Sequence, residues 1–312
     1  MKFIFGPVAS RRFGTSLGID LSPDDKQCNF DCLYCELAPA ATIPAYTKSY
    51  APEEIINELK AALKEHPNTE VITLTANGEP SLYPYLDELI EKIDLIKKDK
   101  QTLMLTNSAT LSDKKTYQSL LALDQVKLSL DAVTVEVFKK IDRPHDSIDL
   151  SQLVKSVIDF SNEYTGRLFI EILFVKGLND TKEEIQALNE VLEQLQCERI
   201  DLGTIDRPPA YPIEGISYER LFEISHLFNP RLPIHIASRK DVKSEPSSYT
   251  NEEILNTLDK RPLTMDDMKL LLDEASLKRV LNLHKNGQVS IKKISNIEFY
   301  IPSQNIDRKR IK

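Results

Sequence analysis

The chain has 312 residues, 41% of them hydrophobic, and a formal net charge of −8 at neutral pH. This length suits one large domain with a smaller one, and the negative charge argues against general binding of polyanions. The sequence begins without the apolar core of a secretion signal, and it contains no apolar run long enough to cross a bilayer. We therefore expect a cytoplasmic protein with no membrane partner.

The charge is divided unevenly along the chain. Residues 1–250 carry 28 basic and 39 acidic side chains, a net charge of −11, whereas residues 251–312 carry 12 and 9, a net charge of +3. This change of sign predicts two modules with different surroundings.

Short β-type runs alternate with helical patterns over most of the chain. The predicted strands are 17–21, 71–75, 102–106, 126–130, 167–174 and 199–203, with a short last strand at 233–237. The predicted helices lie near 52–63, 84–97, 113–122, 134–141, 151–163, 181–195 and 218–228. This alternation indicates right-handed βαβ units around a parallel sheet. We predict an α/β fold with a partial (β/α)6 parallel barrel, because a closed eight-unit barrel needs roughly 250 residues.

Three of the four cysteines follow the first predicted strand, in the run Cys28-Asn-Phe-Asp-Cys32-Leu-Tyr-Cys35. Thiolates are soft ligands, and this spacing lets several of them converge on one metal centre. Three thiolates leave one iron of a cubane cluster free to bind a small molecule. Zinc, with His66 or Cys197 as a fourth ligand, is the alternative from ligand chemistry. A disulfide framework does not suit a chain this long with so few cysteines.

The cysteine spacing resembles that of the radical S-adenosylmethionine superfamily. The run from Gly6 to Gly18, Gly-Pro-Val-Ala-Ser-Arg-Arg-Phe-Gly-Thr-Ser-Leu-Gly, is similar to the branch related to the wyosine-forming enzymes of tRNA modification. The resemblance implies a 4Fe–4S cluster held by the three cysteines, with S-adenosyl-L-methionine on the fourth iron. It also places the aromatic residue before the last cysteine, Tyr34, near the adenine.

Polar residues follow the predicted strands, where parallel barrels form their sites. Asn77-Gly78-Glu79-Pro80, after the second strand, resembles the glycine–glutamate motif that receives the methionine amino group in this superfamily. A plain turn is the alternative, since glycine and proline mark turns. The resemblance also places Ser129 and Asp131 at the ribose hydroxyls.

Four further charged residues have no assigned role. Glu171 alternates with apolar neighbours on the fifth strand, so it either points inward and needs a partner or faces solvent. Arg11 and Arg12 suit either a bidentate clamp on an anion or a surface ion pair. Arg207 lies in a run, 206–209, that resembles the family's ending of the last strand.

The alternation of predicted strands and helices ends after residue 239. We predict a barrel at 1–239, a linker at 240–251, a small α+β module at 252–302 and a basic tail at 303–312. Three helices followed by a hairpin look like a winged helix, with a variant capping box at Thr264 to Asp267. Lys278, Arg279 and Lys285 on the third helix suit nucleic acid, but a docking or protein-recognition module is the alternative.

The residues and the resemblance together favour an enzyme that cleaves S-adenosylmethionine reductively and produces a 5′-deoxyadenosyl radical. The resemblance further implies a low-potential electron donor of the flavodoxin or ferredoxin type. A tRNA base and a protein side chain both remain as substrates, and activation of a glycyl-radical enzyme is a weaker alternative. From another class, a metal-binding regulator that binds nucleic acid also remains.

Overall fold

The computed structural model describes residues 2–10, 13–205, 207–236, 246, 248–260, 262–294 and 297–303. The buried apolar residues of this part form two separate cores, one between Phe3 and Phe228 and one between Tyr249 and Tyr300. Arg11, Arg12 and Asp206 lie outside the described residues, as do most of the predicted linker and the tail beyond residue 303.

The first core surrounds an eight-stranded sheet whose spatial order is its order along the chain. Its strands are β1 (Ile4–Ser10), β2 (Gly14–Asp20), β3 (Val71–Thr75), β4 (Gln101–Thr106), β5 (Gln125–Ser129), β6 (Arg167–Phe174), β7 (Arg199–Thr204) and β8 (Ile234–Ile236). β1 is antiparallel to β2, and all other neighbours are parallel. No described residues pair β1 with β8, so the barrel is open, as predicted.

Among the described residues, seven α-helices connect these strands, and each buries apolar side chains against the sheet or a neighbouring element. They are α1 (Pro52–Glu65), α2 (Leu86–Asp94), α3 (Lys114–Leu121), α4 (Val135–Ile141), α5 (Leu150–Glu163), α6 (Lys182–Leu192) and α7 (Tyr218–Ser225). Asp113, Asp149, Thr181 and Ser217 each accept a backbone N–H of the helix that they precede. Such caps explain why the predicted and observed first residues of these helices agree closely.

The strand β1 was not predicted, because Gly6 and Pro7 interrupt its apolar pattern. It pairs with β2 through a register irregularity between Phe5 and Val8. The ring of Phe5 lies over Gly18, where a Cβ would come within 2.1 Å of the ring carbon Cζ. β1 and β2, which hold the described part of the run from Gly6 to Gly18, therefore pair at the open edge of the barrel.

The second core belongs to a small α+β module. Its elements are α8 (Asn251–Lys260), β9 (Leu263–Thr264), α9 (Met265–Leu271), α10 (Glu274–Lys285), β10 (Val289–Ile294) and β11 (Ile297–Pro302), with sheet order β10-β11-β9. Thr264 and Asp267 form the capping box. Tyr249 is 1% exposed in this core, so the module begins earlier than residue 252.

The module packs against the edge strand of the barrel. The Asn256 Nδ2 donates to the Ile4 carbonyl at 3.1 Å, which satisfies an acceptor that an open edge leaves unpaired. Among the described helices, none has the length and apolarity needed to cross a membrane.

Candidate active site

The cysteine loop leaves the carboxyl end of β2 and is fixed at once to the loop after β3. The Gln27 N–H donates to the Asn77 carbonyl at 2.8 Å, and the Glu79 N–H donates to the Gln27 carbonyl at 2.9 Å. These two bonds place Gln27 directly opposite Gly78. The residue before Cys28 is therefore paired with the predicted glycine–glutamate turn.

This pairing requires a glycine at residue 78. Gly78 has φ +133°, and a Cβ there would lie 1.9 Å from the Gln27 carbonyl oxygen. Only glycine combines this backbone conformation with so close an approach. The preceding Asn77 donates its N–H to Asp20 Oδ1 at 2.9 Å, which anchors the turn to the end of β2.

Glu79 holds the same turn to the end of β4. Its side chain is buried, with Oε1 accepting from the Ser81 hydroxyl at 2.5 Å and the Thr106 hydroxyl at 2.6 Å. Its Oε2 accepts from the Asn107 N–H at 2.7 Å. Burial raises the pKa of Glu79, and these hydrogen bonds oppose that rise. The geometry gives Glu79 a structural role in the turn, and its contact with the methionine group stays a prediction.

The three thiols belong to one loop, and each cysteine is partly buried. Burial raises the pKa of Cys28 to about 12, and the charge of Glu79 adds to this rise. Burial also raises the pKa of Cys32 and of Cys35, while the ammonium of Lys26 acts against it at Cys35. The three sulfurs lie within electrostatic range of one another, so each thiolate would oppose ionisation of the next.

This donor set fits an iron–sulfur cluster. Three partly buried thiols whose pKa values are raised need a strongly positive metal centre to become thiolates, and sulfur ligands select zinc, copper or iron–sulfur clusters. The fourth ligands of the zinc alternative are wrong. His66 follows α1 before β3, and Cys197 precedes β7, so both lie toward the amino ends of strands, opposite the cysteine loop.

Tyr34 reaches across the loop to the end of β5. Its hydroxyl donates to Asp131 Oδ2, while Asp131 Oδ1 accepts from the Leu173 N–H at 2.7 Å. Burial raises the pKa of Asp131 to about 7. Ser129 lies on the same wall, and its carbonyl accepts from the Ser108 hydroxyl at 2.8 Å. The structure thus brings together Tyr34, Ser129 and Asp131, around a space of only about 10 Å³.

A second carboxylate, Asp142 at the end of α4, lies beside the cysteines. The Cys32 Sγ is 3.5 Å from Asp142 Oδ1. Burial raises the pKa of Asp142, and the charge of Asp131 adds to this effect. The backbone of the same segment accepts the Leu33 N–H at Ile141, at 2.8 Å. α4 therefore fixes the middle of the cysteine loop.

The loop after β7 covers the end of the cysteine loop. The Arg207 guanidinium donates to Glu36 Oε1 at 2.6 Å, and the Ala210 N–H donates to the Cys35 carbonyl at 2.8 Å. These contacts give Arg207, which had no assigned role, a place next to the last cysteine.

A band of charged side chains lines the face that bears Ser129 and Asp131. Glu171 pairs in register with Ser129 on one side and Asp201 on the other, and Asp201 pairs with His235. The Lys127 Nζ lies 2.5 Å from Glu171 Oε2, so Glu171 points inward and has a partner. We call Lys127, Glu171, Arg199, Asp201 and His235 the ionic band. Arg199 Nε donates to Asp201 at 2.8 Å, and the His235 Nδ1 lies 3.1 Å from the same carboxylate.

Several contacts in this site were not predicted from the sequence. Asn107 bridges Glu79 and the cysteine loop, where its Nδ2 donates to Asn29 Oδ1 at 2.7 Å. Asp31 accepts from Lys26 at 3.1 Å and from the Tyr211 hydroxyl. In the sequence, only the position of Asn107 after a predicted strand pointed to a role in the site, and nothing pointed to Asp142.

Comparison with known proteins agrees with this geometry. Residues 26–190 match the family model of the Radical SAM superfamily. A UPF0026 protein of Helicobacter pylori is 38% identical over 299 residues, which cover 95% of this chain and 96% of that protein. An S-adenosylmethionine-dependent nucleotide dehydratase of Flammeovirga pacifica is 28% identical over 179 residues, covering 53% of this chain and 59% of that protein.

A solved radical SAM methyltransferase of Sphaerobacter thermophilus shares the fold. Its TM-score is 0.56 at 16% identity, over 73% of this chain and 67% of that one. The family model spans more than half of the sequence, and the relative in Helicobacter covers nearly all of it. The chain therefore belongs to the radical SAM superfamily, and it is an enzyme that uses a 4Fe–4S cluster and S-adenosyl-L-methionine.

Proposed function

We propose that this enzyme modifies a base in RNA, with tRNA as its substrate, and that Cys28, Cys32 and Cys35 hold its cluster. When bound, the cluster and S-adenosylmethionine supply, by one-electron cleavage, a 5′-deoxyadenosyl radical that removes hydrogen from the substrate. Every other contribution comes from side chains and backbone groups that bind, orient and shield the reactants.

The residues around the cysteine loop would hold the cofactor. The Asn77–Gly78 turn offers backbone beside Cys28, and Tyr34, Ser129 and Asp131 would contact the nucleoside. The small space between them implies that these side chains separate when the nucleoside enters. Asn107 and Asp142 would keep the loop in place, because they touch it from β4 and α4.

The ionic band is the observation that carries the substrate proposal. It lies on the wall of Asp131 and presents carboxylates, cations and an imidazole side by side. Unpaired RNA bases are recognised by hydrogen bonds to their edges and by stacking on aromatic rings or guanidinium planes. Arg199 already lies 4.8 Å from the ring centre of Phe169. The relative named a nucleotide dehydratase supports a substrate that contains a nucleotide.

The small module would provide the phosphate contacts that the acidic barrel lacks. Its order of helices and strands suits a winged-helix fold, and Lys278 and Lys285 on α10 are exposed. Arg279 is less suited to this role, because its guanidinium donates to the module's own Tyr249 carbonyl at 2.8 Å. We further propose a cytoplasmic setting and a flavodoxin-type or ferredoxin-type electron donor.

Comparison of bulk tRNA from cells with and without the gene tests this proposal. Mass spectrometry of digested nucleosides should show one modified base lost, and anaerobic enzyme with that tRNA should restore it. A Cys32→Ala variant should not restore it. Unchanged nucleosides, together with a modified peptide in the proteome, would overturn the RNA proposal and favour a protein substrate.

The ionic band can be tested separately from the cluster. Glu171→Gln should lower tRNA-dependent turnover and leave the iron content unchanged, because Glu171 contacts Lys127 rather than a cysteine. Glu198→Gln is the matched control, since Glu198 also forms a cross-strand ion pair, with Arg167 at 2.6 Å, on the exposed rim. Equal turnover in the two variants would contradict a substrate role for the band.

A further inference from the structure

A second group of metal-ligating side chains lies at the junction of the barrel and the small module. Glu65 and His66 end α1, and Glu253 lies in the first turn of α8. One donor atom of each lies within 4.8 Å of the others. They line a cavity of about 240 Å³, which has room for an ion with bound water.

The separation of two of the donor atoms suits a tetrahedral metal ion. The His66 Nε2 lies 3.3 Å from Glu253 Oε1. Ligands at about 2.0–2.1 Å from zinc in a tetrahedron are roughly 3.3–3.4 Å apart, so these two atoms already span one edge. Glu65 is exposed, and rotation of its side chain can complete the third position.

The Glu253 carboxylate is held in place for this role. Its Oε2 accepts from the Thr250 N–H at 2.7 Å, and the Glu253 N–H donates to the Thr250 hydroxyl at 3.2 Å. This reciprocal pair fixes the side chain and directs Oε1 toward His66. Such outer contacts commonly orient metal ligands.

The negative charges around the cavity favour the binding of a cation. Glu65 places a carboxylate at the carboxyl end of α1, where the helix dipole is already negative. Glu253 brings a second carboxylate to the same cavity. Within the part of the chain that the structure describes, no lysine or arginine forms an ion pair with Glu65 or Glu253.

We propose that Glu65, His66 and Glu253 bind a divalent transition metal ion, with zinc as the best match, and that this ion joins the small module to the barrel. Histidine nitrogen and carboxylate oxygen are both zinc ligands, and water can complete the tetrahedron. The site is distinct from the cysteine loop, because α1 ends and β3 begins at the opposite end of the sheet.

Zinc titration of the anaerobic, cluster-loaded protein tests this site, with Zn²⁺ alone as the probe and a chromophoric chelator as the competitor. Wild type should bind one zinc ion per chain, and zinc should raise its Tm. His66→Gln and Glu253→Gln should each weaken the zinc affinity at least tenfold. Removing a residue that only orients a metal ligand already costs about 10–100-fold in metal affinity, and these variants change a ligand itself. Glutamine at residue 253 retains the capping interaction, so this variant should fold.

His226→Gln is the matched control, because His226 is a histidine on the barrel surface near the end of α7. It should bind zinc as the wild type does. X-ray absorption at the zinc edge should show nitrogen and oxygen neighbours only. Sulfur neighbours at about 2.3 Å would place the ion on the cysteines and overturn the proposal. Equal zinc affinity in all three variants, or no binding by the wild type, would overturn it as well.

Discussion

Gly78→Ala is expected to displace the cysteine loop from its support. The added Cβ would lie 1.9 Å from the Gln27 carbonyl oxygen, which belongs to the backbone and cannot rotate away. The sparsely populated backbone conformation at φ +133° costs about 1–2 kcal/mol for a residue with a Cβ. The two hydrogen bonds between Gln27 and the turn contribute about 1 kcal/mol each. The free energy of unfolding should fall by about 3–4 kcal/mol.

Gly177→Ala is the matched control for this variant. Gly177 also has a positive φ, +73°, but a Cβ there would meet nothing within 4 Å. It should therefore cost only the backbone term of about 1–2 kcal/mol. For a domain of this size, 1 kcal/mol corresponds to about 2–4 °C in Tm.

Thermal unfolding and iron analysis of the two reconstituted variants provide the assay. Gly78→Ala should lower Tm by roughly 6–16 °C and lose most of its iron, and Gly177→Ala should lower Tm by roughly 2–8 °C and keep its iron. Equal Tm and equal iron content in the two variants would refute the reasoning, because the clash would then have no effect on the loop.

Three further predictions concern single side chains. Glu79→Gln should lower the free energy of unfolding by about 1–3 kcal/mol in denaturant titrations, because the amide NH₂ cannot accept the hydrogen bonds that the carboxylate receives; an unchanged midpoint would contradict this. Partial burial of Asp124 acts to raise its pKa, but hydrogen bonds from Lys97 and Thr102 outweigh it and lower that pKa. The stability that the Asp124 carboxylate contributes is therefore complete above about pH 4 and is lost as the pH falls through the lowered pKa. Asp124→Asn should therefore lose less Tm between pH 5 and 2 than the wild type does. Parallel plots of Tm against pH would show that this carboxylate is not involved. Tyr34→Phe should keep its iron, since no sulfur is altered, but bind S-adenosylmethionine more weakly in equilibrium dialysis; loss of iron would mean that Tyr34 supports the cluster instead.

The repeating part of the fold was predictable because it depends on local patterns. Runs such as 71–75 and 167–174 are strongly apolar, and the helices between them carry N-caps and an apolar stripe. The same patterns order the small module, where the capping box from Thr264 to Asp267 marks the start of α9. The edge strand β1 was missed, because Gly6 and Pro7 interrupt its apolar pattern.

The candidate site was predictable only in part. The cysteines and the turn at Gly78 belong to short motifs, so their spacing alone indicates their chemistry. Asn107 and Asp142 reach the loop from β4 and α4, and no sequence periodicity reports contacts over 79 and 110 residues. The partner of Glu171 could not be predicted from the sequence either, because Lys127 lies on a neighbouring strand 44 residues away.

The central claim is that the three loop cysteines hold a cluster to which S-adenosylmethionine binds. Electron paramagnetic resonance of the reduced, anaerobically reconstituted protein tests it most directly, with Cys32→Ala as the variant and Cys197→Ala as the control. The wild type and Cys197→Ala should give a 4Fe–4S signal that changes when S-adenosylmethionine is added, and Cys32→Ala should give none. A signal that S-adenosylmethionine leaves unchanged, or one that survives in Cys32→Ala, would contradict the claim.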